Sequence, residues 1–263
     1  MEFDFVSDIH VDHHAKNDEI ESFVKYLLPN QPSKVLIVAG DFGHNYGPIV
    51  KLFEQLKSHY DEVLFCLGNH EFYRTQQFET RQKVNMIVSN LKSMGCKHLN
   101  GTVFDINGVK FGGSHGWYDG SYTKKYHGMN DDDVYLLWRG YMNDARKIDF
   151  NIFESGKIQE EYDKLHRIRG LVDVMVSHVC PTIHNPNLPE KFKNPSTGFF
   201  SFDGDDIWFD SNIETWIFGH THNQYCWSEF KSNGEKIIFA SNPIGYPGEN
   251  SRQKIQTFFT SRG

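Results

Sequence analysis

Three short apolar stretches near the start of the chain alternate with stretches of helical spacing. Glu2 to Ser7 alternates apolar and polar positions and predicts a strand that stops at Asp8. Lys34 to Ala39 contains the continuous run Val35, Leu36, Ile37, Val38, the pattern of a strand covered on both faces. It stops at Gly40-Asp41, and Glu62 to Leu67 reads the same way and stops at Gly68-Asn69-His70-Glu71. Helices are predicted at Asp18 to Leu28, closed by Pro29, at Ile49 to Ser58, and at Phe78 to Ser93, closed by Gly95. The result is a βαβαβ layered start with mostly parallel pairing. In such sheets ligands bind beyond the carboxyl ends of the strands, where each polar stop lies.

The pattern then changes. Thr102 to Ser114 reads as a hairpin with Asn107-Gly108 as its type I′ turn. Helix-like stretches follow near Val134–Lys147 and Ile152–Arg167, inside a segment rich in Tyr, Trp, Asp and Lys. Val172 to Ser177 returns to a buried strand ending at His178. A Pro-, Asn-, Gly- and Phe-rich connection, 181–212, predicts a long loop with a short turn of helix. Glu214 to Phe218 is a short strand ending at Gly219-His220-Thr221-His222, and further strands are expected near Gln224–Phe230, Lys236–Ala240 and Lys254–Phe259. We therefore expect one domain over 1–263, with cap-like insertions at about 117–170 and 181–212.

Composition narrows the class. The 263 residues can bury a large core, and 15% of them are aromatic, 22 of them Phe, more than a sheet core alone would absorb. The net charge of −7 argues against a broad duplex-DNA surface, though bound cations can reverse a local field for a small anion. Cys66, Cys96, Cys180 and Cys226 are scattered without a C-x-x-C pair, so free thiols in a reducing cytoplasm are expected. The N-terminus has no basic region or long apolar run, and no stretch of about 18 apolar residues is present, so neither a secretion signal nor a membrane span is expected.

Five strand ends finish in metal-type side chains: Asp8-Ile9-His10, Gly40-Asp41, Gly68-Asn69-His70, His178 and His220-Thr221-His222. On extended backbone, residues i and i+2 point the same way, so Asp8 and His10 are expected to aim at one ion, and His220 and His222 repeat the same spacing. Carboxylate, imidazole and amide without thiolate suit Mn first, with Fe, Zn, Ni or Co as further choices. Two such ions can clamp the attacking and leaving oxygens of a displacement at phosphorus, with a metal-bridging hydroxide as nucleophile. Asp41 can bridge them, Asp8, His10 and His222 can complete one ion, and Asn69, His178 and His220 the other. His70 would point elsewhere and is expected to stabilise charge on the phosphate or protonate the leaving oxygen. Glu71 is expected either to hold the other ring nitrogen of His70 or to face solvent.

This ordered series resembles the calcineurin-like metallophosphoesterases along nearly the whole chain. Met142 to Ile148 and Asn242 to Asn250 look like segments of a bacterial and phage branch of phosphohydrolases. The resemblance implies an α/β, four-layer αββα sandwich, two mixed sheets between helices, with a dinuclear site at the sheet edges. It also implies the ligand set above and the charge-stabilising role of His70. The chain departs from relatives in having Val179 after His178, where a second His is common, and Phe42-Gly43-His44 after Asp41. The latter lacks the Asp and Arg of protein Ser/Thr phosphatases, which weakens a phosphoprotein reading.

Other features are weaker. His115, Asn143 and Arg146 are candidate substrate contacts, Arg146 alternatively pairing with Asp144 or Glu71. His13, His14, His44 and His184 read first as loop residues, and Lys124-Lys125 and Lys191-Phe192-Lys193 as solvated surface. The aromatics of the two insertions, such as Trp117, Trp138, Phe199 and Trp208, either stack on a substrate ring or, for most of them, cover an extra core. The function expected is hydrolysis of a small phosphodiester or nucleotide. Its rivals are a phosphomonoesterase or protein phosphatase, a nuclease, and a non-catalytic interaction module, the last disfavoured by the presence of His70.

Overall fold

The computed structural model describes residues 1–250 and 253–260. β1 (Glu2–Val6) leads through a one-turn helix α1 (Val11–His14) and α2 (Ile20–Leu27) to β2 (Val35–Ala39), α3 (Tyr46–Lys57), β3 (Glu62–Cys66), α4 (Thr80–Ser93) and the two-residue β4 (Lys97–His98). A hairpin of β5 (Thr102–Ile106) and β6 (Val109–Gly113) opens the second half, followed by α5 (Ser121–His127), α6 (Asp131–Tyr141), α7 (Asp144–Lys147) and α8 (Lys157–Ile168). β7 (Val174–Val176), α9 (Asp205–Trp208), β8 (Thr215–Phe218), β9 (Tyr225–Phe230), β10 (Lys236–Ser241) and β11 (Gln256–Phe259) complete the described chain.

The strands form two mixed sheets, in the orders β11-β1-β2-β3-β4 and β5-β6-β7-β8-β10-β9. β1 to β4 pair in parallel, as the βαβαβ pattern predicts, and β11 adds antiparallel to β1. Alternation along the central strands shows how the layers form. Val35, Ile37 and Ala39 of β2 face a core shared with Phe111, Val174 and Ile217 of the other sheet. Leu36 and Val38 of the same strand face α2, α3 and α4 through Val24, Phe53 and Leu91. On the second sheet, Met175, Trp216 and Phe239 face outward onto Trp138 of α6 and Leu165 of α8. Each fully apolar strand thus serves two cores, because successive side chains point to opposite faces. The architecture is the four-layer α/β sandwich expected.

Some elements depart from the sequence pattern. The expected helix Val134–Lys147 is broken at Met142, whose backbone is extended (ψ 136°), into α6 and α7. The break turns Asp144 inward, where it is fully buried. α6 also begins earlier, at Asp131, because the Asn130 side chain caps it by accepting from the Asp133 N–H at 3.0 Å. α5 has no counterpart in the predicted elements; it runs between Gly120 and Gly128, both left-handed, and has little apolar periodicity. The aromatics of 117–170 and 181–212 mostly fill the outer core of the second sheet: Trp117, Tyr118, Trp138, Phe199, Phe202 and Trp208 are all buried there. Tyr141 and Phe200 instead line a cleft at the strand ends.

Replacing Ile37, fully buried between the sheets, with Ala should cost about 2–5 kcal/mol in urea unfolding. Leu136→Ala, on the exposed face of α6, should change stability by no more than about 0.5 kcal/mol.

Candidate metal centre

The loops after β1 and β2 are zipped together beyond the strands. Asp8 N–H donates to the Gly40 carbonyl at 3.0 Å, and His10 N–H to the Asp41 carbonyl at 3.0 Å. The backbone there is not extended. Among the described residues, six non-glycine positions have positive φ, and five of them are Asp8, His10, Asp41, His220 and His222. The i, i+2 argument from a pleated strand is therefore corrected. Asp8 and His10 do share one group while His220 and His222 go to different groups, and all four do so through left-handed turns in the loops, a conformation that costs on the order of 1–3 kcal/mol per residue and persists only where surroundings impose it.

Glu71 is one such imposing group. It is fully buried, and its carboxylate accepts from Gly68 N–H at 2.6 Å, Asp41 N–H at 3.0 Å and Gly43 N–H at 3.1 Å. Both expectations for Glu71 are corrected: it neither holds His70 nor faces solvent. It ties the Gly-Asp and Gly-Asn turns to each other. Gly68 must be glycine, since a side chain there would collide with Asp41. Lys83, buried beneath, donates to the carbonyls of His44 at 2.8 Å and His70 at 3.2 Å.

The structure brings together all seven side chains named as ligands. Asp8, His10 and His222 form one group, with Nε2 of His10 and His222 3.0 Å apart and His222 Nε2 3.5 Å from Asp8 Oδ1. Asp41, His178 and His220 form another, and Asn69 Oδ1 joins it at 3.1 Å from His178 Nε2. Asp41 Oδ2 lies between the groups, 3.9 Å from His10 Nε2 and 3.4 Å from His178 Nε2.

Hydrogen bonds on the far side of three of the four rings fix which atom faces inward. His178 Nδ1 meets the Ala39 carbonyl at 2.9 Å, His220 Nε2 meets the Phe199 carbonyl at 2.9 Å, and His222 Nδ1 meets the Glu249 carboxylate at 2.6 Å. These partners can only accept, so each outer nitrogen carries the proton and each inner nitrogen presents a lone pair. Asn69 is oriented the same way: its Nδ2 donates to Asp144 at 2.9 Å, which leaves Oδ1 facing the site. Lone pairs of imidazole, amide and carboxylate therefore face one another in a buried space. A positive charge is required between them. Without one, burial would lower His178, but the Asp41 carboxylate outweighs it and raises the imidazole to about 10. The donor set fits divalent cations.

The other candidate residues divide. His70 stands at the cleft floor, its Nε2 3.1 Å from the Tyr246 hydroxyl and 4.0 Å from Asp41 Oδ2, its Nδ1 buried without a hydrogen-bond partner among the described residues. Asn143 lines the same cleft of about 580 Å³. Arg146 does not; its guanidinium donates to Asn143 Oδ1 at 2.7 Å and pairs with neither Asp144 nor Glu71. His115 is not brought to the cleft either. It lies behind His178, where its Nδ1 meets the Leu67 carbonyl at 2.7 Å and its ring borders a separate cavity with Phe72 and Trp117. Lys191, expected on solvated surface, lines the metal cleft.

Asp144 is the residue that sequence reasoning undervalues. Besides Asn69 it accepts from the hydroxyls of Tyr73 and Tyr118, both at 2.6 Å, and Trp138 Nε1 donates to Tyr118 at 2.8 Å. The segment 142–148 stands out in the sequence, but there Asp144 presents itself only as a partner of Arg146.

A family model described as calcineurin-like phosphoesterase matches residues 1–224. The chain belongs to that family. Members are metal-dependent phosphoester hydrolases, and the converging donors are the groups that would hold the metal here. A protein of Acanthamoeba polyphaga mimivirus, described as uncharacterized, is 26% identical, over 94% of this chain and 92% of its own. Among solved structures, phosphopantetheinyl hydrolase (PptH) from Mycobacterium tuberculosis superposes with a TM-score of 0.72 at 19% identity, over 98% of this chain and 96% of its own. A protein of Thermus thermophilus superposes with a TM-score of 0.55 at 10% identity, over 98% and 97%. Both share the fold of this phosphoesterase. Among the described residues, no helix is long and apolar enough to cross a membrane, and Cys66, Cys96, Cys180 and Cys226 are free thiols.

The phosphoesterase variant Glu71→Gln, which sets an amide NH₂ against backbone N–H donors, should weaken Mn²⁺ binding about 10–100-fold in calorimetric titration. It should also unfold at lower temperature, since buried N–H groups lose their acceptor.

Proposed function

We propose that this phosphoesterase hydrolyses a phosphodiester of modest size at a dinuclear centre, with manganese as the preferred metal. The observation that carries the diester reading is the lining of the cleft. Among the described residues, Lys191 is the only Lys or Arg that lines it, while Tyr141, Met142, Phe192 and Phe200 supply apolar surface. A monoester or protein phosphate brings two negative charges and calls for added cationic side chains. A diester brings one, and its organic groups can rest on the aromatic wall.

Two divalent cations between the Asp8 and Asp41 groups would supply a water acidified near neutral pH and a clamp for the phosphoryl oxygens. The chain's own part is positioning. Asp41, shared between the groups, sets their spacing. His70, steadied by the Tyr246 hydroxyl, would hydrogen-bond a phosphoryl oxygen and so favour the charge that builds during attack. Asn143, presented by the break between α6 and α7, offers a neutral contact at the cleft wall. The name of the Mycobacterium tuberculosis relative makes an ester carrying a phosphopantetheinyl group a substrate to include in testing.

With Mn²⁺ added, bis(p-nitrophenyl) phosphate should be cleaved with a higher kcat/KM than p-nitrophenyl phosphate. Cyclic nucleotides, a phosphopantetheinyl ester and single-stranded DNA complete the panel. A monoester preference would overturn the diester reading, and a single-stranded DNA preference would point to a nuclease. Asp41→Asn should abolish turnover on every substrate. His70→Asn should lower kcat by about 10²–10⁴ while metal content stays at the wild-type level.

A further inference from the structure

A third group of metal-type side chains lies outside the centre described above. Asp12 and His13 belong to the one-turn helix α1, and His44 follows Gly43 in the loop after β2. One ligand-type atom from each lies within 4.8 Å of the others. None of the three lines the cleft over Asp41, and the reaction proposed above does not use them.

The group is held by backbone. Val11 N–H donates to the Phe42 carbonyl at 3.0 Å, next to the His10–Asp41 bond already noted. A side chain at Gly43 would collide with the Asp12 carboxylate, so this close approach depends on glycine. That carboxylate, buried and oriented, accepts from His44 N–H at 3.1 Å and from Asn45 Nδ2 at 3.1 Å. Its Oδ2 also lies 3.1 Å from His44 Nδ1, yet Nδ1 is buried and makes no hydrogen bond among the described residues. At that separation an aligned N–H would bond. The two atoms stand side by side without bonding, in a group whose ligand-type atoms all lie within 4.8 Å of one another. His13 adds a second, exposed imidazole, its ring centroid 5.8 Å from that of His44.

We propose that Asp12, His13 and His44 bind a further divalent transition-metal cation, separate from the main centre and open to solvent. Two imidazoles and one carboxylate, with positions left for water, suit zinc, cobalt or iron(II) better than magnesium or calcium. One carboxylate serves the site, and the Lys83 ammonium lies nearby on the His44 carbonyl. Its affinity is therefore lower than that of the main centre, which has two carboxylates. The bound cation would stand beside the phosphate-binding side of the cleft, since the His44 ring is 6.0 Å from that of His70 and the His13 ring 5.1 Å from that of Tyr246.

The test uses the full chain, stripped with chelator and dialysed against graded Co²⁺, with bound metal counted per chain. Wild-type protein should bind one equivalent more than Asp12→Asn or His44→Ala, and that equivalent should be the last to fill. The partly exposed His44 makes His44→Ala the decisive variant should Asp12→Asn fail to fold, and its metal-free melting temperature should match wild type. If folded His44→Ala binds as much Co²⁺ as wild type at every concentration, the proposal is overturned. A loss of more than one equivalent overturns it too, because the side chains would then serve the main centre. Asp41→Asn should lose metal from the main centre and keep this equivalent. If it loses none, the dinuclear reading falls while this proposal stands.

Discussion

Around Asp41 the protein holds lone pairs against lone pairs. His10, His178, His220 and His222 each turn a nitrogen inward, Asn69 turns its carbonyl oxygen inward, and the carboxylates of Asp8 and Asp41 complete the ring. Such a cluster repels itself in a medium of low dielectric unless positive charge enters. Much of the surrounding structure resists the ways this repulsion could be relieved. Outward-facing ring nitrogens are bonded to the Ala39 and Phe199 carbonyls and to Glu249, so those imidazoles cannot flip without breaking a hydrogen bond. The amide of Asn69 is kept from flipping by Asp144.

Backbone strain belongs to the same arrangement. Five of the side chains in this cluster ride on left-handed backbone, which shortens the loops and turns neighbouring side chains toward a common centre. Such conformations survive because the turns are over-determined. Glu71 gathers three N–H groups from two different loops, and Lys83 gathers two carbonyls. These two buried side chains sit where the main chain has left donors and acceptors unpaired. Their role is to hold the loops so that side chains of the neighbouring residues are free to point at metal.

The second sheet's helical layer is joined to the site rather than simply laid over it. Trp138 of α6 bonds Tyr118, Tyr118 bonds Asp144, and Asp144 bonds Asn69. The extended backbone at Met142 is what allows Asp144 to enter this chain. Packing of an outer layer and orientation of an inner amide are thereby linked through three hydrogen bonds. The same break presents Asn143 at the cleft wall.

The order of apolar runs and polar stops determined by itself the parallel core, the strand ends that carry the site and the identity of the seven converging groups. Those features are local, since a run such as Val35 to Val38 buries both faces wherever it is placed, and an Asp after Gly40 ends it in every case. The Asn107-Gly108 turn was legible for the same reason, both residues taking the positive φ that such a turn requires. The roles of Glu71, Asp144 and His115 were decided only in three dimensions. Each depends on what a distant segment sets beside it: the Asp41 and Gly43 amides beside Glu71, Asn69 and Tyr118 beside Asp144, the Leu67 carbonyl beside His115. A buried carboxylate or imidazole takes its role from the partners that replace water around it. Those partners come from segments far apart in the chain, so no pattern of neighbouring residues could specify them.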